Sequence, residues 1–166
     1  MSERNLPIIG NNALVRIANI DRIPAKVDTG ADASSVWATD IEMSPSHELS
    51  FCLLGPSHPL YTGERITTKD YKVQQVRNST GHVSLRYRVF LLMKLHGRLI
   101  RTPFTLMDRS RNRFPVLIGR KTIQNKFLVD VSRYAVERPS TFNNEELNSE
   151  LHSDPYKFHQ KYMSKK

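Results

Sequence analysis

Cysteine is nearly missing from this chain: Cys52 stands alone among 166 residues. One thiol cannot close an internal disulfide, and it cannot supply the paired cysteines of a zinc ribbon. Long apolar runs are missing as well. Nothing approaches the roughly 20 residues that a membrane-spanning helix requires, so no membrane partner is expected. The opening "MSERNLPIIG" has neither the basic start nor the apolar core of a secretory signal, and a cytoplasmic location is the expectation. No Gly-x-x-x-x-Gly-Lys-Ser/Thr occurs, which leaves a nucleotide without a phosphate-binding loop. His-Glu-x-x-His and Gly-x-Ser-x-Gly are absent too, so neither a zinc-peptidase helix nor a serine nucleophile elbow has residues to rest on. No metal and no cofactor is expected.

What remains is an ordinary globular composition, with 39% hydrophobic and 25% charged residues and length for one domain. The net charge of +9 is unevenly placed. Residues 1–63 carry 4 basic and 7 acidic side chains, whereas residues 64–138 carry 17 basic and 5 acidic. Residues 139–166 are balanced, with 4 of each. The middle of the chain therefore supplies all the excess, and such a surface concentrates anionic partners, whether an acidic peptide or nucleic acid.

Short apolar segments recur between turn signals. "ALVRIANI" (13–20) and "RIPAKVD" (22–28) read as a hairpin. "YKVQQV" (71–76) and "HVSLRYRVFLLMKL" (82–95) flank Asn78-Ser79-Thr80-Gly81, which has turn chemistry. Within the second segment Leu85, Tyr87, Val89 and Leu91 alternate with arginines at a period of two. "RLIRTPFTLMD" (98–108) is a further strand, which Pro103 should place at an edge or a bulge. "FPVLIG" (114–119) reads as a buried strand, followed by a short helix over 120–126 and a last strand over 127–131. The Ser-, Pro- and His-rich stretch 40–62 reads as a strand-poor insertion. After Pro139 hydrophobic density collapses, and a helix starting at Ser140 or Thr141 should break at Asp154-Pro155. The organisation expected is one all-β, mostly antiparallel barrel over 1–138 and a polar, partly helical tail over 139–166.

The chemistry concentrates in "KVDTGADASSV" (26–36). A strand that ends in Asp28 and bends at once through Thr29 and Gly30 can expose a carboxylate among backbone donors. Gly30 would permit positive φ or close approach, and Thr29 could tie its hydroxyl to neighbouring backbone. Some 90 residues on, "PVLIGRKTI" places Gly119-Arg120 after an apolar run. The motifs "VDTGADASSVWA", "LMDRSRNRFPVLIGR" and "FLVDVSR", in this order, resemble the bacterial retropepsin-like aspartic endopeptidase family over residues 13–133. That family was long labelled an ATP-dependent zinc protease, and some members accompany RimK-type glutamate ligases.

The resemblance implies a closed retropepsin-like barrel and a set of roles. Asp28 would be the catalytic carboxylate, in a loop shaped by Thr29, Gly30 and Ala31. Gly119 would pack behind that loop, and Arg120 would pair with Asp32, an acid expected to point inward. An aspartic peptidase needs two carboxylates that share one proton. The sequence holds one Asp-Thr-Gly, so the second carboxylate would come from a twofold-related copy, in a homodimer. A flap over the substrate would fall at Gln75–His82. The substrate would be a peptide or protein, with an acidic tail suggested by the ligase association and the basic middle region. Two readings compete with this one. One is a noncatalytic module on the same barrel that captures acidic protein segments or RNA through residues 64–138. The other is a metallopeptidase using Cys52 with His47 or His58.

Overall fold

A computed structural model describes residues 5–77, 80–137 and 143–164, and the chain divides into two units, 1–136 and 137–166. In the first unit the strands are β1 (Ile8–Ile9), β2 (Asn12–Ile17), β3 (Ile20–Asp28), β4 (Ser34–Met43), β5 (Leu49–Leu53) and β6 (Arg65–Thr68). They continue with β7 (Tyr71–Arg77), β8 (Val83–Leu95), β9 (Arg98–Met107), β10 (Val116–Gly119) and β11 (Leu128–Val129), with the one-turn helix α1 (Arg120–Ile123) after β10.

The period-two pattern sets the inner face. On β2 and β3, Val15, Ile17, Ile23, Ala25 and Val27 are buried while Arg16 and Lys26 face out. The strands then close on themselves in the order β10-β3-β2-β8-β9-β4, and β4 returns to β10. The closing strand is β10. It runs parallel to β3, from Val116 opposite Ala25 to Gly119 opposite Asp28, and antiparallel to β4, with Leu117 opposite Ser35. A barrel made this way has no free edge within the ring. Its interior holds Val15, Ile17, Ile23, Val36, Met93, Leu95, Phe104 and Ile118, all essentially inaccessible to solvent. Each large apolar side chain so buried stabilises the fold by about 1.5–3 kcal/mol before chain entropy is counted.

Most pairings are antiparallel, and the parallel ones are β1–β11, β3–β10 and β4–β9. β5 and β6 extend the sheet beyond β4, and β7 pairs with β8 outside the ring. No described helix is long and apolar enough to cross a membrane.

Several local expectations change. The stretch 40–62 is not strand-poor: β4 runs on to Met43 and turns back into β5. Its Ser, Pro and His mark turns, as where Ser44 Oγ accepts from Glu48 N–H at 3.0 Å, whereas Leu49, Phe51 and Leu53 are buried core. Pro103 does not make β9 an edge strand, because β9 lies between β8 and β4. Its ladder with β4 begins only at Phe104, so at Pro103 the missing N–H has no partner strand to fail on that side. The helix after Gly119 ends at Ile123 rather than 126, because Gln124 is extended and Asn125 turns to a positive φ of 61°. The last strand contracts to Leu128–Val129, paired with β1. The turn residues Asn78 and Ser79 lie outside the described residues.

The second unit contains α2 (Asn144–Ser153) and α3 (Pro155–Tyr162). Asn143 Oδ1 caps α2 by accepting from Glu145 and Glu146 N–H, and Asp154 ends α2 and caps α3 through Lys157 N–H, with Pro155 in the first turn. The starts expected at Ser140 and Thr141, and the expected boundary at 138/139, fall outside the described residues.

Candidate active site

Asp28 is the last residue of β3, and its carboxylate is held by its own loop. Gly30 N–H donates to Asp28 Oδ1 at 3.1 Å, and Ala31 N–H donates to the Asp28 carbonyl at 3.2 Å. Lys26 Nζ, two residues back on the same strand face, lies 3.4 Å from Oδ2. The Asp28 side chain keeps 28% of its exposure, enough to meet a ligand from outside. Thr29 and Gly30 are exposed beside it.

The loop is anchored from below by β10 and α1. Arg120 N–H donates to the Ala31 carbonyl at 2.7 Å, and Lys121 N–H to the Asp32 carbonyl at 3.4 Å. Gly119 N–H donates to Ser34 Oγ at 3.0 Å, and that hydroxyl continues to Thr122 Oγ1 at 2.7 Å and on to Thr102 Oγ1 at 2.9 Å. Ser34, Thr102 and Thr122 are all buried, so each hydroxyl depends on the others for its hydrogen bond.

Two expectations about this loop change. Gly30 does not take a positive φ, and a Cβ there would meet only Asp28 Oδ1 at 3.4 Å, an ordinary contact. The glycine that sterics require is Gly119, where a Cβ would come within 2.6 Å of the Ala33 backbone. The Thr29 hydroxyl makes no hydrogen bond among the described residues.

Asp32 meets Arg120 as expected, with Arg120 Nη2 at 2.5 Å from Oδ1 and Lys121 Nζ at 3.7 Å from Oδ2. The acid is not inward, however: Asp32 and Arg120 are 53% and 60% exposed, at the rim of the loop.

A cleft of about 520 Å³ lies against this loop, with Ala31–Ala33 on one wall and Gln74–Arg77 on another. Those latter residues belong to β7, which pairs with β8 from Tyr71 opposite Val89 to Arg77 opposite Val83, and Gln75–Arg77 begin the stretch expected to be the flap. Two arginines that the sequence does not distinguish from their neighbours, Arg86 on β8 and Arg109 after β9, also line the cleft. Arg109 is 7% exposed. Its Nε donates to the Phe114 carbonyl at 2.9 Å and its Nη1 to Ser35 Oγ at 3.0 Å. Burial, and then the charge of Arg86, holds the Arg109 guanidinium below the ordinary arginine range, with Asp28 acting in the opposite sense. Arg86 is lowered by burial.

Among the described residues, no three His, Cys, Asp or Glu side chains gather as metal ligands. Cys52 Sγ donates to the Gly63 carbonyl at 3.6 Å, while His58 Nδ1 accepts from Leu60 N–H at 3.1 Å.

A Shewanella halifaxensis protein named "Probable alpha-L-glutamate ligase" is 30% identical over 120 residues, which cover 68% of this chain and 25% of that protein. A Desulfotalea psychrophila protein of the same name is 27% identical over 120 residues, covering 67% and 25%. The chain thus spans about a quarter of the length of the curated relatives it matches. Among solved structures, a Legionella pneumophila protein of unknown function shares the fold with a TM-score of 0.58 at 22% identity, over 76% of this chain and 95% of that one. Residues 8–140 match the family described as retropepsin-like aspartic endopeptidase RimB. With its Asp-Thr-Gly loop at the end of β3 and Gly119-Arg120 packed behind it, the chain belongs to the RimB-like family of retropepsin-like aspartic endopeptidases.

Proposed function

We propose that this protein is an aspartic endopeptidase whose site is completed when two copies bring their Asp28 carboxylates together. The observation that carries the reading is the placement of Asp28: a partly exposed carboxylate on an anchored loop, with Thr29 and Gly30 uncovered beside it. A twofold axis there would set the two acids face to face, each supported by its own Gly30 N–H.

Two carboxylates about 3 Å apart cannot both ionise, so the pair holds one proton. The ionised member takes a proton from water, and the water oxygen bonds to the scissile carbonyl carbon. The protonated member donates a hydrogen bond to the carbonyl oxygen as negative charge develops there. Collapse of the tetrahedral species breaks the C–N bond, and a proton from the pair passes to the leaving nitrogen. Arg120, Asp32 and Gly119 act on this chemistry by holding the loop.

The substrate we propose is a peptide with an acidic tail. Support comes from the basic excess of residues 64–138, and from relatives named as glutamate ligases, which match this chain over about a quarter of their length. The decisive measurement is peptide cleavage together with mass in solution for the parent and for Asp28→Asn. Cleavage by a dimeric parent and none by the dimeric variant is the expected result. Equal rates in the two proteins, or cleavage by a monomer, would overturn it. Salt-sensitive capture of an acidic ligand without cleavage would point instead to a noncatalytic module.

A further inference from the structure

Arg109 is an unusual arginine. Buried cations are costly unless paired with an anion, yet Arg109 forms no ion pair among the described residues. Its bonds to Phe114 and Ser35 tether the segment after β9, and that tether alone would account for Nε and one terminal nitrogen. It does not account for Arg86. Arg86 Nη1 lies 3.0 Å from Met107 Sδ, and Arg109 Nη1 lies 3.7 Å from the same sulfur. Two guanidinium groups thus converge on one thioether at the wall of the cleft, where they repel each other. Arg86 likewise has no carboxylate partner among the described residues; its Nε donates to Ser84 Oγ at 3.1 Å. A protein can hold such a pair at modest cost if an anion enters between them, and the cleft is open to one.

We propose that Arg86 and Arg109 form a carboxylate subsite that receives an acidic side chain of the substrate close to the bond being cut. This rests on the peptidase reading and adds to it the residues that choose the substrate. Proximity to the reacting centre follows from the walls: Ala31–Ala33, which continue directly from the Asp28 loop, face the same cleft as the two arginines. Guanidinium groups present planar pairs of donors that match a carboxylate, and Ser35 and the Phe114 carbonyl keep Arg109 from turning away. An uncharged amide of the same shape would bring no charge to the buried Arg109 or the half-buried Arg86, so discrimination should be strong.

The test compares peptides that differ only by Glu or Gln at the residue beside the cleavage site. A Glu preference in kcat/KM of about ten- to a hundredfold is expected for the parent, as for a hydrogen bond between charged groups. Arg86→Gln should collapse the ratio toward one, and Arg86→Glu should turn the preference toward Lys at the same position. Arg109 carries the tether, so Arg86, which is less buried, supplies the variants. Equal kcat/KM for the Glu and Gln peptides in the parent, or an unchanged ratio in Arg86→Gln, would overturn the subsite while leaving the peptidase reading in place. If preference disappears when the peptide's C-terminus is amidated, the carboxylate recognised is the terminal one and the side-chain assignment is wrong. If the parent cuts nothing, the peptidase reading fails by itself. The subsite is then decided by calorimetry with the full-length Asp28→Asn protein, where equal affinity for the two peptides would sink it.

Discussion

Gly119 ends the β3–β10 ladder directly opposite Asp28, and a methyl group on its α-carbon would lie 2.6 Å from both the carbon and the oxygen of the Ala33 carbonyl. The strand that closes the barrel is therefore also the floor of the candidate active site. Backbone, not a flexible side chain, occupies the space behind the glycine, so nothing there can step aside.

Gly119→Ala should accordingly destabilise the protein by about 1–3 kcal/mol, the usual cost of overpacking, and displace the Asp28 loop. Gly30→Ala should be close to neutral in stability, because its new methyl meets only Asp28 Oδ1 at 3.4 Å. Urea midpoints at constant slope measure both. Equal sensitivity at the two positions would contradict the packing described.

Thr122→Val removes the middle hydroxyl of the buried chain that joins Ser34 to Thr102. The cost should be about 1–3 kcal/mol, since two buried hydroxyls each lose a partner and Gly119 N–H is left on a weakened acceptor. Thr122→Ser keeps the oxygen and should recover most of it. A loss in the Ser variant as large as in the Val variant would mean that the methyl group counts for as much as the hydroxyl network.

The Asp32–Arg120 pair should contribute little to folding despite its short contact. Both side chains are more than half exposed, and exposed pairs contribute about 0–1 kcal/mol. The loop is held in any case by Arg120 N–H on the Ala31 carbonyl. A double-mutant cycle of Asp32→Ala and Arg120→Ala by urea unfolding should give a coupling within that range. A larger coupling would show that the pair is shielded in the working assembly.

His58 should make stability fall on mild acidification. Its ring lies edge-on to Trp37 at 5.9 Å, and Nδ1 accepts from Leu60 N–H, which only the neutral ring can do. Burial lowers its pKa below the ordinary 6.5, so the unfolded chain takes up the proton first. The contribution is complete above 6.5 and is lost as pH falls from there through the lowered folded value. Urea midpoints at about pH 7.5 and about pH 5.5 should therefore differ less in His58→Gln than in the parent.

Much of the architecture was legible in short stretches of sequence. The alternation around Val15, Ile23 and Val89 marks strands because side chains on a strand face opposite ways, whatever lies beyond them. The Asp-Thr-Gly loop stands out through the chemistry of adjacent residues, and Gly119-Arg120 through the resemblance to the retropepsin-like family. Other features were hidden. The serines and prolines of 40–62 obscured β5, whose apolar residues are covered only once β4 and β6 flank them. Pro103 signals an edge or a bulge in the sequence because the offset at which β4 joins β9 cannot be seen in either strand alone.

Local order of residues settled which side chain heads the loop, which strands alternate and where the tail helices break, because each of these follows from bonds and faces within a few positions. Closure of the ring settled the rest. Only when β10 slots between β3 and β4 does Gly119 become irreplaceable while Gly30 does not, and only when β8 and β9 pair does Met107 receive two guanidinium groups at once. Arg86 and Arg88 look alike in the chain, and a cation becomes buried or exposed according to what distant strands lay over it.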